Sequence, residues 1–375
     1  MSAHVSLRSC TDYNPDGIKK VLISAVDALG GIGAFVKPGE TVLLKPNMLA
    51  PAAPEKAVTT HPTVVRAVAE MVLGAGGIPF IGDSPAVPGF NNVCKTTGIS
   101  AVAAELGIPL VELKDSAEYK QGEKKLFRIL EISSKVMEAD RIISLPKLKT
   151  HSQMFLTLGV KNVFGCVVGV RKAQWHFKAG VDRMFFARML VELYHAIAPD
   201  LTIMDGVLGM EGDGPGTSGT PRTCGIIAAS ADAVALDRVL IEILGAREDQ
   251  YFVMQAAKEM GVGESRLSKI KVSGEPLDFF RLENFVFPKV GKVAFGPPVL
   301  RRFILNHLTA RPKETREKCT MCGRCINICP TNVISEKNKR LYFNYDACIR
   351  CYCCVEVCPE GAMKPAAPFL LRITG

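Results

Sequence analysis

The chain has 375 residues, 48% of them apolar, with 13 cysteines and a formal charge of +9. This length suits two domains of unequal size. No apolar run approaches the roughly 18 residues of a membrane span, and Met-Ser-Ala-His-Val-Ser-Leu-Arg-Ser at the start has no apolar secretory core, so a reducing cytoplasm is expected.

Residues 1–287 read as one α/β domain, an open, mainly parallel sheet with flanking helices. His4–Arg8 is a first strand, and Asn14-Pro15 opens a helix with Ile18, Val21, Leu22 and Ala25 on one face. Thr41–Leu44 is a strand stopped by Lys45-Pro46-Asn47. Pro62 starts a helix carrying Val64, Val65, Val68, Met71 and Val72, and Ile78–Ile81 is the strand after it. Gly30-Gly-Ile-Gly33 follows a helix rather than a strand, which makes it a helix stop and not a dinucleotide fingerprint. Further strands are expected at Arg141–Leu145, Leu201–Met204, Gly225–Ala229 and Lys269–Val272, with helices after Asp182 and Asp232.

From Pro288 the periodicity fades. Residues 288–316 carry Lys289, Lys292, Arg301, Arg302, Arg311, Lys313 and Arg316 against the single acid Glu314. Within this basic linker, Pro297–Leu308 has the pattern of a short amphipathic helix. It would either dock onto the neighbouring module or touch an acidic surface, a peripheral membrane contact included. Nucleic acid is not an expected partner, because neither a helix-turn-helix pattern nor an aromatic-and-basic platform accompanies the charge.

Residues 317–365 read as a small α+β ferredoxin-like domain, followed by a tail over 366–375. Cys319, Cys322, Cys325 and Cys329-Pro330 repeat as Cys348, Cys351, Cys354 and Cys358-Pro359. This is the C-x2-C-x2-C-x3-C-P spacing that holds [4Fe–4S] clusters in two-cluster ferredoxins. Carried over, one cluster takes Cys319, Cys322, Cys325 and Cys358; the other takes Cys348, Cys351, Cys354 and Cys329. A disulfide framework would need an oxidising compartment, and the three-plus-one spacing is not that of a zinc ribbon. Cys353 is an extra thiol, and Val333–Asn344 forms a hairpin between the motifs. Eight ligand thiolates and two oxidised cores together lower the net charge to about +5.

Four expected strands of the front domain run into polar clusters: Lys45-Pro-Asn47, Gly82-Asp83-Ser84, Pro146-Lys147-Leu-Lys149-Thr150-His151, and Asp205-Gly206. Ligands of open α/β sheets bind beyond the carboxyl ends of the strands, so parallel strands would bring all four to one crevice. Gly159–Gly165 with Lys161 and Asn162, and Glu211–Gly219, are loops that would join it. Lys45, Lys147, Lys149 and Lys161 favour an anionic small molecule. His151 is a general-acid candidate, and His61 sits at a helix N-terminus. Asp83, Asp205 and Glu211 are acid/base candidates, or else simply bond turn amides. The glycine-rich loop 212–219 lacks a Walker ending and would be a phosphate cradle or a lid. No motif asks for a flavin.

Lys45-Pro-Asn47, His61-Pro62, Gly82-Asp83-Ser84, Pro146–His151 and Lys161-Asn162-Val-Phe-Gly165 resemble the family named domain of unknown function 362, over about residues 1–270. The resemblance implies the architecture, the candidate residues and the appended two-cluster module, but no reaction. Three functions follow from these features. One is a ferredoxin-linked oxidoreductase acting on an anionic metabolite, with a redox partner protein. The others are an electron carrier whose front domain recognises a partner, and a non-redox enzyme with structural clusters.

Overall fold

A computed structural model describes residues 3–86, 89–122, 125–169, 171–288 and 309–366. The expected linker helix at 297–308 lies outside these residues. Strand β1 is His4–Ser9, and helix α1 spans Pro15–Asp27, where the Asn14 side chain accepts the Gly17 amide at 3.1 Å. Strand β2 (Thr41–Pro46), helix α2 (Pro62–Gly74) and strand β3 (Ile78–Asp83) follow, then α3 (Phe90–Thr96), α4 (Ile99–Leu106) and β4 (Leu110–Glu112). A side hairpin, β5 (Ser116–Lys120) with β6 (Ile129–Ser133), leads through α5 (Ser134–Glu138) to β7 (Arg141–Leu145).

Next come β8 (Lys147–His151), β9 (Phe155–Thr157), α6 (Gly159–Asn162), α7 (Arg171–Ala179) and α8 (Arg183–Ile197). Asp182 caps α8 through the Phe185 amide at 2.9 Å. The long strands β10 (Leu201–Gly212) and β11 (Gly219–Ser230), helices α9 (Ala233–Ile243) and α10 (Phe252–Met260), and β12 (Lys271–Gly274) complete the front part.

The main sheet runs β12-β1-β11-β10-β7-β2-β3-β4, and the stretch from β10 to β4 is parallel throughout. Apolar residues alternate between its two faces. Val42, Leu44, Ile143 and Leu145 join the core beneath α1–α4, while Leu43 and Ile142 join the core beneath α8–α10. Burial on both faces is why these strands read as unbroken apolar runs.

Two expectations about this sheet need correction. Lys147–His151, read as a polar loop, is strand β8, fully buried and paired with β10 and β9. Leu201–Met204 does not stop at Asp205; the strand shifts register between Gly206 and Leu208 and continues to Gly212 as a ribbon with β11. Gly206 is required at that shift, since a Cβ there would lie 2.9 Å from the Ile226 carbonyl.

The C-terminal part has its own small core around Val333, Ile334, Leu341, Val355 and Met363. Strand β13 (Arg311–Glu314) pairs with β16 (Met363–Ala366), and β14 (Ile334–Lys337) with β15 (Arg340–Phe343), which is the expected hairpin. Helices α11 (Arg324–Asn327) and α12 (Cys353–Glu356) hold the cysteine motifs.

Candidate functional site: a cysteine module seated on the strand ends

Two hollows open among the cysteines. One is lined by Cys319, Cys322, Cys325 and Cys358, the other by Cys329, Cys348, Cys351 and Cys354. Each therefore draws three thiols from one motif and the fourth from the other, the donor set a four-iron cube takes. The residues present fit an iron–sulfur cofactor. Cys353 is buried and lines neither hollow. Cys322 is exposed, whereas Cys351 and Cys354 are buried.

The module rests on the carboxyl ends of the front sheet. Thr217 Oγ1 donates to the Cys358 carbonyl at 2.7 Å, and Ser218 Oγ to the Met363 carbonyl at 2.8 Å. A Cβ at Gly216 would come within 2.8 Å of the Glu356 carbonyl, and one at Gly214 within 2.4 Å of the Thr150 carbonyl. The glycine-rich loop is thus neither an anion cradle nor a free lid. It is a strap between β8 and α12, and its glycines let backbone meet backbone. Val357 and Ile328 of the module pack into the front core alongside Met48.

Beneath α12, β8 alternation places Lys147, Lys149 and His151 on one face, while Leu148 enters the core behind. Two of the four lysines are already neutralised. Lys147 Nζ lies 2.8 Å from Asp205, and Lys45 Nζ 3.0 Å from Asp83, all four side chains being buried. Asp83 also accepts the Met48 and Ser84 amides, and Asp205 accepts the His61 amide and the Tyr13 hydroxyl. The two aspartates therefore bond turn amides as one expectation had it, but the lysines are buried rather than solvated.

Among the described residues Lys149 has only neutral partners, Asn47 Oδ1 at 2.8 Å and the Val58 carbonyl at 2.6 Å. Burial, reinforced by Lys161, holds its ammonium pKa well below the usual lysine value. Asn162 accepts from Asn47 and donates to the Lys45 carbonyl and Ser144, which fixes that pair beside Lys149. Lys161 is half-buried, its Nζ 5.7 Å from the Phe164 ring centroid. Burial lowers its pKa and Glu356 opposes that shift.

His151 Nδ1 accepts the Gln153 and Met154 amides at 3.1 and 3.2 Å, so the proton of the neutral ring sits on Nε2. Burial pushes its pKa down to about 4. Nε2 stands 3.1 Å from Glu356 Oε1, and among the described residues both atoms otherwise lack partners. Glu356 stays ionised: burial raises its pKa, but His151 and Lys161 more than offset this and hold it near 2.

His61 caps α2, stacks on Tyr13 at 3.6 Å and is kept neutral by burial, with a pKa near 4. Glu211 is not brought to this rim. Met210, the residue before it, pairs with Lys149, and alternation turns the Glu211 carboxylate away, to Arg222 at 3.3 Å and the Val286 amide at 3.1 Å.

Three residues of the site carried no signal in the sequence. Tyr13 lies in a loop, His176 in the amphipathic helix α7, and Glu356 inside a cysteine motif. Only the docking of separate elements brings them to the rim.

Asp237 anchors α6, the helix that carries Lys161 and Asn162. It accepts the Gly159 amide at 2.7 Å, the Val160 amide at 3.2 Å and the Tyr251 hydroxyl at 2.9 Å. Burial nonetheless raises its pKa to about 7. A folded-state pKa above the unfolded value means stability present at low pH and lost as pH rises through 7. Between pH 6 and 8 the urea midpoint should fall by the equivalent of about 1 kcal/mol, a fall that Asp237→Asn should remove. Equal pH slopes in wild type and variant would rule Asp237 out as the source.

The front part matches the family model described as domain of unknown function (DUF362) over residues 42–242, and residues 318–363 match a 4Fe-4S dicluster domain. A thylakoid-associated protein of Synechocystis sp. is 40% identical over 83% of this chain and 96% of its own. Among solved structures, the lactate racemase apoprotein of Thermoanaerobacterium thermosaccharolyticum aligns with a TM-score of 0.42 at 12% identity, over 62% of this chain and 55% of that one. A protein of Thermotoga maritima aligns with a TM-score of 0.33 at 16% identity, over 54% and 52% of the two chains. The chain thus spans about half the length of either solved structure, and neither likeness bears on activity. By the family match and the Synechocystis relative together, the chain belongs to the DUF362 family, in a form that carries an iron–sulfur ferredoxin-type module.

Proposed function

We propose that this protein passes electrons between two [4Fe–4S] clusters and a small anionic molecule held beneath the cluster module. In this reading residues 1–287 bind the molecule, 317–365 carry the clusters, and an external redox protein meets the edge marked by exposed Cys322. The observation that carries it is the seating of α12 on the strand ends, with Glu356 3.1 Å from His151. A carrier alone has no use for a polar, buried rim directly under its ligand cysteines.

When bound, the clusters supply one-electron transfer. The rim residues hold and orient. Lys161 provides positive charge, and Lys149, whose ammonium pKa burial holds well below the usual lysine value, gains from an anion entering beside it. His151 Nε2–H donates to the bound molecule, while Asp83 and Asp205 position Lys45 and Lys147.

The test is anaerobic. Clusters are reduced chemically, candidate anionic metabolites are added, and reoxidation is followed by iron–sulfur absorption. His151→Asn keeps an acceptor for the Gln153 and Met154 amides but removes Nε2–H. It should slow substrate-dependent reoxidation at least tenfold, the worth of one charged hydrogen bond, with iron content unchanged. Wild-type reoxidation rates in the variant, with a true substrate in hand, would remove this rim as the active site.

A further inference from the structure

Unpartnered buried polar atoms are rare, because each costs about as much as a lost hydrogen bond. Among the described residues, three lie where α12 meets the rim: His151 Nε2, His176 Nδ1 and Glu356 Oε1. The first and last are 3.1 Å apart. His176 stacks on Phe186 at 4.5 Å and meets the edge of Phe164 at 5.7 Å, the ring over which Lys161 Nζ also lies. Among the described residues, Lys161 has no carboxylate within ion-pairing distance. The four side chains come from β8, α6, α7 and the module helix α12, so the group exists only when the module is docked.

Their chemistry is mixed. His151 Nε2–H and the Lys161 ammonium are donors, and the Glu356 carboxylate is an acceptor only. A simple anion would satisfy the donors but face Glu356 with like charge. A ligand that presents a carboxylate to Lys161 and His151, and its own O–H or N–H to Glu356, satisfies both. We infer that His151, Lys161, His176 and Glu356 form a subsite for a small carboxylate bearing a hydroxyl or ammonium group. This rests on the reading that an anion binds beneath the module, and it names the class of that anion. Because Glu356 belongs to the module, such a ligand also ties the module to the front sheet.

The experiment uses the holoprotein with its clusters oxidised and no electron donor present. Glycolate, glycine and acetate are titrated calorimetrically. Glycolate or glycine should bind at least tenfold more tightly than acetate, the effect of one hydrogen bond to a charged group. Glu356→Gln should bring that ratio to within about threefold, after iron content has been checked. His176→Phe retains the stack on Phe186 and should weaken binding of the preferred ligand severalfold, a second variant that leaves the module untouched. Equal binding of all three ligands, binding of none, or a preference that survives Glu356→Gln would overturn the subsite. Redox exchange plays no part in this measurement. Donor-selective binding without reoxidation would instead defeat the electron-transfer reading and leave the subsite standing.

Discussion

Cys329→Ala is expected to empty the cluster position formed by Cys348, Cys351 and Cys354, although Cys329 belongs to the other motif. The hollow lined by those three residues takes its fourth thiol from Cys329, and the remaining hollow takes Cys358 in exchange. A cube with one ligand missing is exposed to loss, so iron should fall from about eight to about four per chain. The surviving electron paramagnetic resonance signal of the reduced protein should match that of a Cys358-intact cluster. Cys353→Ser is the control, since Cys353 lines neither hollow, and should retain all the iron. If Cys329→Ala instead removed the cluster held by Cys319, Cys322 and Cys325, the crossed assignment would be wrong.

Gly165→Ala should destabilise the front sheet by about 3 kcal/mol, although it adds one methyl group at a half-buried turn. A Cβ on Gly165 would lie 2.0 Å from Asp83 Oδ1 and 2.4 Å from Lys45 Nζ. These are ends of flexible side chains, but they are buried and paired at 3.0 Å, so neither can move aside into water. Separating them leaves Asp83 with only its two backbone amides and Lys45 with only the Pro46 carbonyl inside the protein, the costly way to break a buried pair. Trp175, the chain's one tryptophan, packs edge-on against Phe127 at 5.1 Å and reports unfolding of this part. Urea titration followed by its fluorescence should show a midpoint well below wild type. A shift worth less than about 1 kcal/mol would mean the pair has room to rearrange.

By itself the sequence determined most of the elements and all of the cysteine pattern. Apolar runs such as Thr41–Leu44 and Arg141–Leu145 are strands because both sheet faces bury them, and Asn14, Asp182 and Asp232 do cap helices. These signals are local: a side-chain period, a cap, a spacing of two residues between thiols. The convergence of the four polar clusters was legible too, because parallel strands place successive carboxyl ends together, although β10 runs on past Asp205.

The remainder depends on burial. Lys147, Lys149 and His151 look like a solvated loop in sequence, since nothing local announces that the module will cover them. Once covered, they form a strand with Asp205 as counterion and neutral partners for Lys149. Glu211 shows the reverse: β10 runs on past Gly206 and brings Met210 to pair with Lys149, but alternation turns the next side chain, Glu211, away to Arg222. His176 and Glu356 belong to the site through packing of α7 and α12 onto elements more than a hundred residues away from one or the other. A charge or ring nitrogen changes its chemistry with the dielectric around it and the partners it meets, and chain spacing encodes neither.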